Sequence, residues 1–242
     1  MDKAEILARL AKDRPLLHYY DDDWVADAAQ AGIAIPKGDA SLAVSPAVLN
    51  WIANHLTSEM TTLETGAGYT TVLFAAIAKH HYCLTYKPRE ADKIREYLAT
   101  LGLTDDSITY VFGPTDETLP GLDVGGQTID FAYIDGCHGY PYPAMDWHHV
   151  DKRLKVGGLL GMDNAELRPV REHCDFLEEN GSYEKIGQVY GRYFVRFYEK
   201  KADQWREWVC QPYSRAKKDP CDWKLSTRIR RKVSRIVRPY IY

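Results

Sequence analysis

Three positions in the second half of the chain carry side chains suited to hard-cation chemistry. Asp135 closes the apolar run "IDFAYID", and Asp163 with Asn164 closes "VGGLLGMDN". Two carboxylates and an amide oxygen brought to one spot would make an oxygen site for Mg²⁺, Ca²⁺ or Mn²⁺. Water and substrate oxygens would complete it. The same residues also suit polar turns that merely end strands, and residue type alone weighs the two readings evenly.

A second constellation lies upstream in "LETGAGYTT", where Glu64 stands two residues before Gly66-Ala67-Gly68. Gly66 and Gly68 permit a sharp turn and close approach of backbone to a ligand. The helix that would open at Tyr69 and Thr70 adds unpaired N–H groups. A dinucleotide fingerprint needs a third glycine where Thr71 stands, and a carboxylate at Glu64 would repel phosphate. Both features turn the reading from pyrophosphate to a cationic ligand. S-adenosylmethionine, with its sulfonium and α-amino group, is one. An acidic strand end followed by a plain turn is the simpler alternative.

These residues need a scaffold that brings strand ends together. Strand patterns fall at 60–65, 81–86, 108–112, 129–134 and 157–162, with helical periods between them at 69–79, 89–101, 142–154 and 168–179. Alternation of this kind predicts an α/β fold, doubly wound, with a mostly parallel sheet. "YEKIGQVY" and "GRYFVRFYEK" meet at Gly191 and predict a closing antiparallel hairpin, giving seven strands with the last antiparallel. Ahead of the sheet, Ser45 caps a helix that has Pro46 at its first position. Helical patterns at 3–12 and 22–32 predict an N-terminal cap over 1–44. The main domain is then 45–200, and a C-terminal extension covers 201–242.

The chain has 242 residues and a formal net charge of −3, an ordinary balance that favours no nucleic-acid enzyme. Its charge is uneven: Lys224, Arg228, Arg230, Arg231, Lys232, Arg235 and Arg238 crowd the tail without an acid. Ile229, Val233 and Ile236 recur there at helical spacing. Such a tail suits an anionic membrane surface, a nucleic-acid contact, another subunit, or a plain solvated helix packed on its own domain. "MDKAEILARLAKDRP" lacks the apolar segment of a signal peptide, and no run approaches a membrane span. Five irregularly spaced cysteines form no CxxC pair, which fits reduced thiols and a cytoplasmic setting. Cys137 reads as a small neutral residue in preference to a reactive thiol. His80 and His81 are expected at a helix end, and the adjacent His148 and His149 in structural or exposed roles.

Together "LETGAGYTT", "IDGCH" and "VGGLLGMDN" resemble class I S-adenosylmethionine-dependent methyltransferases over roughly residues 45–198. The second half is similar to the cation-dependent catechol and caffeoyl-coenzyme A O-methyltransferases, and also to enzymes acting on sugars and natural products. The resemblance implies methyl transfer to a small-molecule or sugar hydroxyl. It implies a cofactor held around Glu64, Gly66, Gly68, Tyr69 and Thr70, and Mg²⁺ on Asp135, Asp163 and Asn164. Where the catechol enzymes carry a lysine base this chain has His138, which is the candidate base beside Asp135. The family's ribose-binding acid after the second strand is missing from "CLTYKPRE"; Thr85 or Tyr86 would take over, or Glu90 would reach back. Thr115 and Asp116, in "GPTDET", fall where such folds contact adenine, though Asp116 equally suits a turn cap. Tyrosines at 86, 140, 142, 190 and 193 suggest an aromatic pocket or a half-buried rim. A metal-independent methyltransferase, a nicotinamide oxidoreductase on the same sheet and a non-catalytic binding module are the alternatives, and a homo-oligomer fits any of them.

Overall fold

The computed structural model describes residues 2–13, 30, 44–191, 193–204 and 207–214. Met1–Gln204 forms one compact unit and Trp205–Tyr242 a second. In the second, the described stretch makes two short 3-10 turns, Trp208–Cys210 and Pro212–Ser214. The helical pattern at 22–32, apart from Gln30, and the basic tail at 224–238 lie outside the described residues.

The chain opens with helix α1 (Lys3–Lys12), whose N-terminus is capped by the Asp2 carboxylate accepting from Glu5 N at 2.8 Å. Helix α2 (Pro46–His55) begins as expected, with the Ser45 hydroxyl over Val48 N and Pro46 at the first position. Then follow β1 (Thr61–Thr65), α3 (Tyr69–Ile77), β2 (His80–Thr85), α4 (Pro88–Thr100), β3 (Ile108–Phe112), the single-turn α5 (Thr115–Thr118) and β4 (Ile129–Ile134). Helix α6 (Tyr142–Asp151), β5 (Leu154–Met162), α7 (Arg168–Asn180), β6 (Tyr183–Tyr190) and β7 (Phe194–Lys200) complete the unit.

The strands form one seven-stranded sheet in the order β3-β2-β1-β4-β5-β7-β6. Strands β1 to β5 are parallel and β7 runs antiparallel to both its neighbours. Order reverses between β1 and β4, so the crevice beyond their carboxyl ends is the topological switch point. The register keeps those ends level: Thr65 pairs with Leu84 and with Ile134, and Ile134 pairs with Met162.

Each face of the sheet has its own apolar core. Phe131, Tyr133 and Phe197 meet Ile52, Val72, Phe74 and Ile94 from α2, α3 and α4 on one side. Leu63, Leu84, Ala132, Leu160 and Met162 meet Trp147, Val150, Val170 and Leu177 from α6 and α7 on the other. Trp51 anchors α2 by stacking on Phe197 with centroids 3.6 Å apart. Gly187, at a register shift in the β6–β7 pairing, leaves room for that indole, since a Cβ there would come 2.9 Å from Trp51 Nε1.

Two boundaries and one element differ from the sequence expectation. Helix α6 stops at Asp151 and β5 begins at Leu154, because Arg153 turns the chain: its O accepts from Ile129 N and its guanidinium binds Leu122 O at 2.7 Å. His80 and His81 open β2 and do not end a helix, and His81 is fully buried. The turn α5 has no apolar periodicity to announce it.

Candidate active site at the carboxyl edge of the sheet

The glycine turn sits directly after β1. Gly66 has φ +89°, and a Cβ there would collide with the carbonyl oxygen of Asp135, so both conformation and space require glycine. Its N–H donates to Leu84 O at 2.8 Å, tying the turn to β2. Gly68 is in extended backbone, and a Cβ on it would meet nothing within 4 Å. Glycine at 68 therefore leaves open space above the first turn of α3.

Beneath the turn lies a buried polar network. Glu64 is 1% exposed. Its Oε2 accepts from Thr70 Oγ1 at 2.7 Å, while Oε1 accepts from Thr71 Oγ1 and lies 3.0 Å from His81 Nε2. On its other side the His81 ring meets Thr62 Oγ1 at 2.8 Å through Nδ1. Thr71 Oγ1 in turn accepts from Gly68 N at 2.8 Å. The acid before the turn and the threonine in place of a third glycine thus belong to one device, which fixes the first turn of α3. Glu64 holds the turn from below. Thr70 shares that role, and the Tyr69 phenol points away to donate to Asp13 O at 2.6 Å. Cys83, whose thiol burial pushes up, donates to Gly66 O at 3.5 Å.

At the end of β2, Thr85 is 2% exposed and Tyr86 is 63% exposed. The Thr85 hydroxyl donates to Glu90 Oε2, and Lys87 N lies 3.5 Å from the same oxygen. Glu90 from α4 therefore folds back over the strand end.

Beyond β3, Thr115 and Asp116 start α5, so Asp116 is a first-turn helix residue there. Asp116 Oδ1, Thr65 Oγ1 and both carboxylate oxygens of Asp146 are buried without a hydrogen-bond partner among the described residues. Asp146, on α6, is 1% exposed. Burial pushes its carboxyl up; the nearby Thr115 and Thr65 hydroxyls and His138 pull it back, and Asp116 adds to the rise. The Thr65 hydroxyl and Asp146 Oδ2 both crowd the same side of Gly136. The Thr65 and Thr115 hydroxyls are thus the donors nearest the Asp146 carboxylate.

The acid cluster forms at the ends of β4 and β5. Asp135 N donates to Thr65 O and Asp163 N to Ile134 O, each at 3.0 Å, so the two residues leave adjacent strands at one level. Asp163 is buried; its Oδ2 accepts from Tyr133 OH at 3.0 Å and its Oδ1 from Asn164 N at 2.7 Å. Burial first, and then the charge of Asp135, hold its carboxyl well above the usual carboxylate range. Asn164 has φ +53°, and its amide nitrogen donates to Glu166 Oε1 at 3.3 Å. Glu166 also accepts from Phe194 N at 3.1 Å, which ties the loop to β7. His138 Nε2 stands 3.5 Å from Asp135 Oδ1, both side chains being partly exposed.

Residues 63–165 match a family described as "Methyltransferase domain". That span runs from β1 to just past β5 and holds the glycine turn and both strand-end acids. This is a class I S-adenosylmethionine-dependent methyltransferase domain. The chain is similar in fold to the O-methyltransferase TomG of Streptomyces achromogenes, solved with S-adenosylmethionine. Identity is 18%, coverage 84% of this chain and 100% of that one, and the TM-score 0.57. A cofactor-bound protein from MTB, Rv0187, shows 21% identity over 83% of this chain and 98% of its own, with a TM-score of 0.58. Precorrin-6y C5,15-methyltransferase of Geobacter metallireducens GS-15 shows 19% identity over 77% and 98%, with a TM-score of 0.53. At these identities the three likenesses speak for the fold. No curated protein matches the sequence.

Four residues at this edge of the sheet escaped sequence reasoning: His81, Asp146, Tyr133 and Glu166. Each gains its place from residues on another element, and no local motif announces that. Asp146 alone had a signal, an acid set between Met145 and Trp147 on α6. Among the described residues no helix is long and apolar enough to cross a membrane.

Proposed function

We propose that this methyltransferase acts on a hydroxyl oxygen of a small-molecule or sugar acceptor, with a divalent cation assisting. The observation that carries the reading is that Asp135 and Asp163 leave adjacent strands at one level, with His138 Nε2 3.5 Å from Asp135. Burial, and then the charge of Asp135, raise the Asp163 carboxyl. A cation would relieve that repulsion, and Asp135, Asp163 and the Asn164 amide oxygen are the hard donors it prefers.

The crevice also fits the cofactor. Open space over Gly68 admits a ligand against the N-terminus of α3, and Asp116 Oδ1 and the Asp146 carboxylate are acceptors for an exocyclic amine. When bound, S-adenosylmethionine supplies an electrophilic methyl group. The chain's part is alignment, exclusion of water and removal of one proton. With Nε2 3.5 Å from Asp135, His138 would take the acceptor's hydroxyl proton on Nδ1. The Asp135 carboxylate would steady the imidazolium so formed.

One observation favours a metal-independent version. Both oxygens of Asp163 already accept hydrogen bonds, so Asp135 and Asp163 could hold acceptor hydroxyls directly. Transfer of labelled methyl to a panel of catechols, hydroxylated rings and sugars, with Mg²⁺ and then EDTA, separates the two. Product only with Mg²⁺ supports the cation. Equal product in EDTA supports the direct version, and methylation confined to nitrogen or carbon acceptors overturns both.

A further inference from the structure

Below the glycine turn, and separate from the Asp135–Asp163 pair, a carboxylate, an imidazole and a thiol meet. Strand register brings them together. Glu64 on β1 is the register partner of Cys83 on β2, and His81 lies two residues before Cys83, so all three project to one face of the sheet. One donor atom from each falls within 4.8 Å of the other two, and all three residues are buried. His81 Nε2 stands 3.0 Å from Glu64 Oε1. A tetrahedral zinc ion, with bonds of about 2.0–2.3 Å, keeps its donors about 3.3–3.8 Å apart, which these atoms reach by small side-chain shifts.

Hydrogen bonding alone leaves this place short of positive charge. Glu64 is 1% exposed, and among the described residues its one ion-pair partner is His81. A carboxylate so placed needs a cation to offset its desolvation. The Cys83 thiol, pushed up by burial, makes a long bond to Gly66 O at 3.5 Å. Tyr110, the register partner of Cys83 on β3, has its hydroxyl buried without a hydrogen-bond partner among the described residues.

The groups around the three donors are those that orient metal ligands. Thr62 Oγ1 lies 2.8 Å from His81 Nδ1, and Phe74 stacks on the imidazole with centroids 4.8 Å apart, so Nε2 is aimed at Glu64 and Cys83. Thr70 Oγ1 holds Glu64 Oε2 at 2.7 Å, which leaves Oε1 to face the other two donors. Sulfur and imidazole beside a single carboxylate suit Zn²⁺ and not Mg²⁺ or Ca²⁺, which take oxygen.

We propose that Glu64, His81 and Cys83 form a structural zinc site that clamps β1 to β2 beneath the glycine turn. His81 binds as neutral imidazole through Nε2, with Nδ1–H donated to Thr62. The Cys83 thiol releases its proton to solvent on loading and binds as thiolate. Carboxylate and thiolate then carry two negative charges against the ion's two positive ones, so the buried site is neutral. The Thr71 hydroxyl, which bonds Glu64 and receives Gly68 N, passes the clamp on to the first turn of α3. The site is independent of how methyl transfer proceeds.

The test uses the whole chain, unfolded in urea with EDTA, freed of chelator, and refolded under a phosphine reductant with Co²⁺ as the spectroscopic stand-in for zinc. Refolding with the ion present removes the need for an entry path into a closed site. The expected result is one Co²⁺ per chain, with tetrahedral bands in the visible and a thiolate-to-cobalt charge-transfer band in the near ultraviolet, both lost when Zn²⁺ displaces it. Cys83→Ser should remove the charge-transfer band and weaken the ion by more than about 100-fold, beyond what loss of an outer-shell partner costs. Should the serine variant not fold, Cys83→Ala is measured in its place. Asp135→Asn should keep the band, since the strand-end acids are a different site. Zn²⁺ at about a hundredfold excess over its Kd should raise the wild-type Tm by about 5–10 °C and leave that of Cys83→Ser unmoved. Refolded wild type without the band, a band that survives loss of the Cys83 thiol, or a band lost in Asp135→Asn overturns the proposal.

Discussion

Replacing Glu64 by glutamine keeps the shape of the side chain and removes its charge. In the structure the carboxylate receives Thr70 Oγ1, Thr71 Oγ1 and His81 Nε2 while 1% exposed. An amide has one oxygen to accept and an NH₂ group that must face a donor. Thr71 Oγ1 cannot turn to receive it freely, because it already accepts from Gly68 N. At least one buried donor is left without an acceptor, at about 1–3 kcal/mol, and the remaining bonds lose their charge assistance. Relief of the buried charge's desolvation offsets part of this. With three donors built around the anion the loss wins, and Glu64→Gln should cost roughly 3 kcal/mol. Urea unfolding at neutral pH measures it, with an unchanged m-value showing that the unfolded state is not what moved. The cycle of Glu64→Gln with His81→Gln should show a coupling of about 1–3 kcal/mol, since the two side chains share one network. A glutamine variant within about 0.5 kcal/mol of wild type, or an additive cycle, would refute the network.

The two glycines of the turn should respond differently. Gly66→Ala, facing a positive φ and the Asp135 carbonyl, should lose roughly 3 kcal/mol or more by urea unfolding, whereas Gly68→Ala should stay within about 1 kcal/mol yet weaken S-adenosylhomocysteine. His138→Gln should lower the turnover of an identified hydroxyl acceptor by about 10²- to 10⁴-fold while leaving S-adenosylhomocysteine affinity unchanged. Buried beside Trp147 and Phe176, with Nε2 unpartnered, His173 has its pKa lowered to about 3 by burial, from an ordinary 6.5. The unfolded chain therefore binds the extra proton first, so the stabilising contribution is full above pH 6.5 and is lost as pH falls toward the folded value. Between pH 7 and pH 5 the loss is roughly 2 kcal/mol, and thermal unfolding of His173→Phe should show that much less acid sensitivity.

Elements were legible in the sequence where one segment carries its own pattern. The short strand-forming runs at 60–65 and 129–134, the Ser45–Pro46 start and the Gly66 turn all announce themselves through neighbours a few residues away. Asp135 and Asp163 were legible for the same reason, as acids that end apolar runs. What stayed hidden depends on register between strands. His81 reads as a helix-end histidine until β2 is laid beside β1 and its ring meets Thr62 and Glu64. The network around Glu64 shows only once Thr71 is seen to bridge it to Gly68 N. Asp146 becomes meaningful only when α6 carries it under Gly136, beside Thr65 and Thr115. The Thr85–Glu90 bond lies between these cases, since the two residues are near in sequence but meet only where β2 gives way to α4.

The most direct measurement of the central claim is calorimetric titration of S-adenosylhomocysteine into the purified protein, first with Mg²⁺ and then with EDTA. The account predicts saturable binding at one site per chain, weakened when alanine replaces Asp116. Absence of binding under both conditions, in protein shown to be folded, would contradict it.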